Sequence, residues 1–517
     1  MSDSLKEKLL FLVILIMAMH TLMVQALMPL NGDVAFLLNM AKNTGLSHFY
    51  RDFYEVNPPL IVYIYKVFLL PFDFGYISDI SSLRVGVIVY LLLSITITWF
   101  NTDIFSFNKR IFLVFSLALS LFTVSQSVYG QREHLIAAGL VVYLSNVLRS
   151  REGKPFELSS LVSLFMVAIS VCLKPQYGLV LVVAEIYSAI KQRGVVRWKE
   201  IATVFFVGLI YLYVVVAYQS EYLDVIVPLA SVYYSVNFAN LFEVILTASV
   251  VFLVLMMPYF MLRKTLEDND LVFLIFLFFV ASLGAFVAGR TAFGYHLIPT
   301  LTFSFCLVYM AIILQLRKIK RELSFRNVAL LLVAFIPIVT FQHKDIFRNY
   351  QVDYKVAWNK FVSNEQNLSE ELFVEPEVLR LSQLVDRHAT RGDNIIFIAS
   401  TSMYPHHTIP IHSGLMSLAK QPNYWMLPLA VKNRQDEKHR KVLKFVQQTT
   451  VNDMNRYQPE LLVVHQREKT DKRYGETDLF NVLLEDIEFR NIFSNYVKVE
   501  QSKVKTTIFE VYIRKRK

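Results

Sequence analysis

Cysteine is nearly absent: the chain has only Cys172 and Cys306, both inside apolar runs. That excludes a disulfide framework and a metal site built on cysteine. No Gly-rich phosphate loop follows a strand-like segment, so a nucleotide site of that kind is not expected. Internal repeats and low-complexity segments are missing too, whereas a transporter built on inverted repeats would more often show symmetric halves. Acidic residues fall short of basic ones, 42 against 52, leaving a net charge of +10. Such a balance can signal nucleic acid, but here the cations cluster in short loops between hydrophobic runs. That is a membrane-topology pattern, and no nucleic-acid partner is expected.

Hydrophobic residues are abundant, at 55% of the 517 positions, and they fall in long runs rather than short strands. Runs near or above spanning length lie at roughly 9–30, 83–100, 111–128, 135–148, 158–173, 177–190, 201–218, 242–262, 271–288, 295–315 and 327–342. The reading is a polytopic α-helical membrane protein of about eleven spans. The first run is too long for a signal-peptide core and reads as a retained anchor.

Residues 57–72 are also apolar, but Pro58 and Pro59 open the stretch, Lys66 interrupts it and Pro71 closes it. Treating it as surface helices puts Lys109, Arg110, Arg149, Arg151, Arg263, Lys264 and Arg317 to Arg321 on one face, the inner one. Making it a span would destroy that bias. Residues 45–72 are therefore expected to lie on the outer surface of an inner (plasma) membrane, with a cytoplasmic N-terminus. The expected division is a transmembrane catalytic domain, 1–342, with its first outer loop at 31–82, and an extracytoplasmic α/β domain, 343–517.

Within the second part, Glu370 to His388 and Lys438 to Tyr457 read as helices. Asn394 to Ser400 and Glu460 to His465 read as strands, and Tyr496 to Arg514 as a closing hairpin. His406, His407 and His412 share one predicted loop but lack an acidic or cysteine ligand to complete a zinc site.

This topology collects a short list of polar residues at the outer ends of spans: Asp33, Asp52, Glu55 and Asn57; Arg132, Glu133 and His134; Lys174; Arg290 and His296. Ionisable groups at membrane depth are costly and need water, a partner or a function. Two carboxylates from different segments suit deprotonation of a hydroxyl, or a divalent metal held by Asp33 and Glu133 if any is bound. Cations at the same surface suit a phosphate. Displacement of a lipid phosphate from a sugar carbon by a hydroxyl uses both. The bland uses are also on the table: Asp33 or Glu133 as helix caps, Asp52 and Glu55 as surface ion-pair partners, Lys174 and Arg290 as snorkelling cations, and His296 as a satisfied histidine at a helix start. Aromatics in 49–65 and at Tyr233 and Tyr234 are the candidates for sugar or lipid contact.

Gly32-Asp33, the stretch from Tyr50 through Pro58-Pro59-Leu60, Arg132-Glu133-His134 and an outer C-terminal domain together resemble the GT-C glycosyltransferase superfamily. The nearer likeness is to its protein O-mannosyltransferase and lipid A aminoarabinose transferase branch. The resemblance implies inverting transfer of a sugar from a polyprenyl- or dolichyl-phosphate donor to a glycan, lipid or protein acceptor, on the extracytoplasmic face. It implies that Asp33 is the catalytic aspartate and that Glu133 stands where a second acidic residue, usually Asp, is found. Lys174 matches a lysine near the lipid phosphate. Gly-Asp replaces the Asp-Glu pair common in the family. The rival readings are a flippase of lipid-linked glycans, for which Glu185 and Lys66 would be buried path charges, and a polymerase or ligase using lipid pyrophosphate oligosaccharides. The latter would call for cations in 219–241, which has none.

Overall fold

The computed structural model describes residues 2–237, 241–263, 269–291, 293–363, 368, 374–466, 478–504 and 507–515. Each of the eleven apolar runs coincides with a helix. By length and composition, seven helical segments among the described residues can cross a bilayer: Asp3–Ala26, Asp79–Asn101, Trp198–Tyr218, Leu241–Arg263, Asp270–Gly289, Gly294–Arg321 and Phe325–Gln342. The other four, Phe107–Thr123, Arg132–Arg151, Leu158–Leu173 and Gly178–Lys191, are shorter or carry charges at their ends. The protein is a multi-pass membrane protein with a small sheet.

Residues 57–72 hold no helix of the length that a span needs. The helices there are Leu60–Phe68, nine residues, and Leu70–Asp73, four. Nine residues rise about 14 Å, under half of a hydrocarbon core of about 30 Å. Lys66 donates to the carbonyls of Ala41 (2.6 Å) and Thr44, at the end of the Gly32–Asn43 helix. That is how a cation complements a helix C-terminus. Glu185 is likewise spent: it pairs with Arg197 and accepts the Tyr143 hydroxyl.

Contacts divide the chain into two compact units: 1–25, 84–213 and 238–353 make one, and 26–83, 214–237 and 354–517 the other. In the first, Arg132–Arg151 is buried on every side from Arg132 to Arg149. A helix covered all round lies at the centre of its bundle. Small residues let its neighbours approach. A methyl on Gly139 would overlap Ser170 Oγ and lie 2.7 Å from the Met166 carbonyl oxygen of the Leu158–Leu173 helix. Ser94 Oγ donates to the Ala138 carbonyl (2.8 Å), and Asn101 Nδ2 to Ser145 and Ser163 (3.1 and 2.8 Å). Small residues and hydroxyls are what hold helices together where no water drives them to associate.

In the second unit a four-stranded sheet has the order β1-β2-β4-β3, where β1 is Ile395–Ile398, β2 Leu461–Gln466, β3 Tyr496–Val504 and β4 Thr507–Arg514. β1 and β2 run parallel, joined through the Glu437–Tyr457 helix; β2–β4 and β4–β3 are antiparallel. β3 and β4 are the hairpin expected at Tyr496 to Arg514. Leu381 and Val385 of the Pro376–His388 helix pack on Ile395, Leu461, Val463 and Val511. That helix begins at Pro376, and the expected start at Glu370 lies outside the described residues.

The first polar loop belongs to this same unit. Tyr54 N–H donates to the Lys420 carbonyl (2.7 Å), and Phe36 packs edge-on to Phe53 and against His407. After Tyr218 the chain stays helical: a π-turn at Tyr222–Ile226 leads into Val227–Asn237. Gln219 ties it down, accepting from Phe49 N–H (2.9 Å) and donating to the Tyr63 hydroxyl (2.9 Å).

Candidate functional site

In the second unit, Asp33 stands in the first turn of the Gly32–Asn43 helix, half-buried, and its N–H donates to Asn31 Oδ1 at 3.0 Å. A carboxylate there is favoured by the positive end of the helix dipole. The backbone just before it is fixed from a distant segment. Leu30 N–H donates to His412 Nε2 (3.2 Å), and the Leu30 carbonyl accepts from Thr408 Oγ1 (2.9 Å). Gly32 faces the Met403–Tyr404 backbone so closely that a Cβ would lie 2.6–2.7 Å from it. Sequence reasoning did not find Thr408 and His412 as supports of Asp33, because no local pattern links residues 378 positions apart.

Glu55 is buried and accepts the Asn57 N–H (2.8 Å) and its side-chain amide, while the Tyr50 hydroxyl donates to the Asn57 carbonyl (2.6 Å). The pair shapes the turn that enters Pro58 and Pro59. Asp52, by contrast, meets Arg456 at 2.7 Å on the surface. Tyr233 and Tyr234 gather around Trp425, with ring centroids 4.0 and 5.8 Å away.

The first unit brings Glu133, Lys174 and His296 together. Pro175 disfavours helical backbone at Lys174, which is extended (φ −150°, ψ 101°) and ends the Leu158–Leu173 helix. Its ammonium pairs with the Glu133 carboxylate and donates to His296 Nε2 at 2.7 Å; His296 Nε2 is 3.3 Å from Glu133 Oε1. His296 Nδ1 meets Thr291 Oγ1, and the His296 carbonyl accepts the Tyr177 hydroxyl (2.8 Å). Accepting a hydrogen bond from the Lys174 ammonium at Nε2 leaves the imidazole hydrogen on Nδ1. Glu133, Lys174, His296 and Arg132 are all at least nine-tenths buried.

His134 turns the other way, with Nε2 donating to the Leu121 carbonyl (3.1 Å) and the ring edge-on to Tyr129. Arg290 is exposed and left-handed (φ 48°), closing the Asn269–Gly289 helix. Arg84, missed as a candidate, is among the largest fully buried side chains of the described residues, at 1% exposure, and its carbonyl accepts the Tyr129 hydroxyl (3.0 Å).

The three clustered histidines are spent on backbone. His406 Nδ1 donates to the Ser402 carbonyl, His407 Nε2 donates to the Pro422 carbonyl (2.6 Å), and His412 accepts from Leu30. Among the described residues, no three His, Cys, Asp or Glu side chains gather as a metal site would require.

No family model matches the chain, and no curated protein matches it by sequence. Solved structures do. ArnT from Cupriavidus metallidurans superposes in two states over 99% of this chain and 98% of its own. The apo structure gives a TM-score of 0.53 at 12% identity, and the structure bound to undecaprenyl phosphate gives 0.52 at 11%. The fold is GT-C. The archaeal oligosaccharyltransferase AglB from Archaeoglobus fulgidus, in complex with an inhibitory peptide and a dolichol-phosphate, gives 0.42 at 12% identity over 98% of this chain and 74% of its own.

Proposed function

We propose that this protein is an inverting membrane glycosyltransferase that moves a sugar from a polyprenyl-phosphate donor to an acceptor hydroxyl on the extracytoplasmic face of the inner membrane. The observation that carries this reading is the fold match along nearly the whole chain to ArnT, a protein solved with undecaprenyl phosphate bound. In the proposed step the acceptor oxygen forms a bond to the anomeric carbon from the face opposite the phosphate. The carbon–oxygen bond to phosphate breaks, its electron pair leaves with the phosphate, and the hydroxyl proton passes to Asp33. Lys174, with Arg132 or Arg290, meets the charge that develops on the leaving phosphate. Glu133 holds the Lys174 ammonium where that charge appears. Residues 343–517 are read as an extracytoplasmic part that contributes to acceptor choice, with the aromatic group at Trp425, Tyr233 and Tyr234 as a sugar-contact surface.

The flippase reading needed buried charges along a path, and its two candidates, Glu185 and Lys66, are both engaged in structural contacts. Reconstituted protein supplied with polyprenyl-phosphate sugars tests the proposal. Asp33→Asn should cut transfer by about 10²–10⁴-fold, the usual worth of a general base, while leaving donor retention in native mass spectrometry unchanged. Near-normal transfer by that variant removes Asp33 from the mechanism. Co-purification of a pyrophosphate-linked oligosaccharide instead of a monosaccharide phosphate would move the protein to the polymerase or ligase class.

A further inference from the structure

Within the first unit, Lys174 and Tyr177 stand on one short turn and grip His296 from different sides. The Lys174 ammonium donates to the ring at Nε2 (2.7 Å), and the Tyr177 hydroxyl donates to the backbone carbonyl (2.8 Å). Tyr295 packs edge-on to the imidazole, with ring centroids 4.5 Å apart. These contacts orient the ring. They leave one variable, the nitrogen that carries its hydrogen.

An ammonium has hydrogens and no lone pair, so only a bare Nε2 can accept from Lys174. The hydrogen then sits on Nδ1, where Thr291 Oγ1 accepts it. The other tautomer has a partner of its own. Glu133 Oε1 lies 3.3 Å from Nε2, so a hydrogen placed there would turn to the carboxylate and compete with Lys174 for it. Two arrangements therefore share one set of atoms: Lys174 held by both Glu133 and His296, or His296 donating to Glu133 with the ammonium pushed aside. Thr291 bears on the choice. Without an acceptor beside Nδ1, the first arrangement buries an N–H with no partner there, and an orphaned donor is rarer and costlier than an orphaned acceptor. Two of the ammonium's three hydrogens are directed in the first arrangement, which fixes the direction of the third.

We infer that Thr291 is a positioning residue for Lys174: by accepting the Nδ1 hydrogen of His296 it keeps the Nε2 lone pair on the ammonium, and so keeps that ammonium aimed at the donor's lipid phosphate. The inference rests on the role proposed above for Lys174.

The test compares binding of a short-chain polyprenyl phosphate with binding of the matching polyprenol, which has the same chain and no phosphate, by full-length protein in detergent. Thr291→Val should weaken phosphate binding about tenfold, within the worth of a hydrogen bond to a charged group, and leave polyprenol binding as it was. Thr291→Ser, which restores the acceptor, should recover the loss. At position 296 two amides separate the two nitrogens, because the oxygen of Gln stands near Nε2 and that of Asn near Nδ1. His296→Asn should therefore bind the phosphate more weakly than His296→Gln. An amide has no tautomer to lose, so Thr291→Val should have no further effect in the His296→Gln background. A loss there as large as in wild type overturns the inference, as does undiminished phosphate binding by Thr291→Val alone. Parallel loss of phosphate and polyprenol would make Thr291 a structural support only and overturn it as well. Lys174→Met with Glu133→Gln checks the underlying role: a double variant that still prefers the phosphate as wild type does removes Lys174 from the phosphate. If that double variant loses the preference while Thr291→Val keeps it, only the inference about Thr291 fails.

Discussion

A methyl group on residue 32 would lie 2.6 Å from the carbonyl carbon of Met403 and 2.7 Å from the nitrogen of Tyr404. Backbone cannot give way as a flexible side chain can, so Gly32→Ala should destabilise the protein by about 1–3 kcal/mol, as overpacking does. A thermal-shift measurement checks it, and transfer should fall as Asp33 is displaced. The same contact gives a physical reason for the Gly-Asp pair, since an acidic side chain at 32 has no space. Glu133 and Lys174 illustrate a different residue-scale rule. Removing one member of a buried ion pair strands the other, typically costing about 3–5 kcal/mol. Lys174→Met alone should therefore unfold at markedly lower temperature, and adding Glu133→Gln should restore much of the loss. If Lys174 binds the donor phosphate, activity will stay low in the double variant, separating the structural role from the chemical one. Farther out, burial pushes the Asp453 carboxyl up to about 7, against the Lys420 N–H that donates to it at 2.7 Å. A raised carboxyl means the folded state binds the extra proton between about pH 4 and 7. Its stabilisation is thus complete below pH 4 and lost as pH rises through 7. Burial lowers His406, His407 and His465 to about 3–4, so their contribution runs oppositely, present above pH 6.5 and lost on acidification. The melting temperature of Asp453→Asn minus that of wild type, followed from pH 4.5 to 8, isolates the aspartate and should grow with pH.

At the scale of elements, hydrophobic runs located each helix able to cross a bilayer among the described residues, because a bilayer demands the same signal over a whole span. The Arg132–Arg151 helix shows where that signal weakens: its charged ends dilute its hydropathy although it is the most enclosed rod of its unit. Its packing surfaces were not legible, because Gly139 against Met166 and Asn101 between Ser145 and Ser163 are matches between segments and leave no local trace. The π-turn at Tyr222–Ile226 was equally invisible, since a shift from four- to five-residue hydrogen bonding changes no side-chain pattern. Asn101→Leu removes two interhelical hydrogen bonds and should cost about 0.6–1.7 kcal/mol, read as a lowered melting temperature in detergent. Gly139→Leu should cost more, because a backbone carbonyl stands in the way.

For the whole molecule, sequence reasoning reached the fold class, a multi-pass helical protein with a small sheet. It had no means of seeing that the first loop and the C-terminal segment fold as one unit. Leu30, Gly32, Asn39 and Tyr54 all lean on residues between 403 and 426. A chain ending near residue 353 should thus leave the first loop open to protease, with cleavage between residues 31 and 60 detected by mass spectrometry; a protected loop would contradict the shared unit. This arrangement also sets a clock on biogenesis. Ribosomes add about 5–20 residues per second, and Leu30 waits for Thr408, 378 positions later. The loop that carries Asp33 is therefore among the first parts synthesised and among the last to take its shape, some 20–75 s afterwards at those rates. Truncated products of stalled synthesis would carry helices able to cross a bilayer yet leave Asp33 in an unshaped loop.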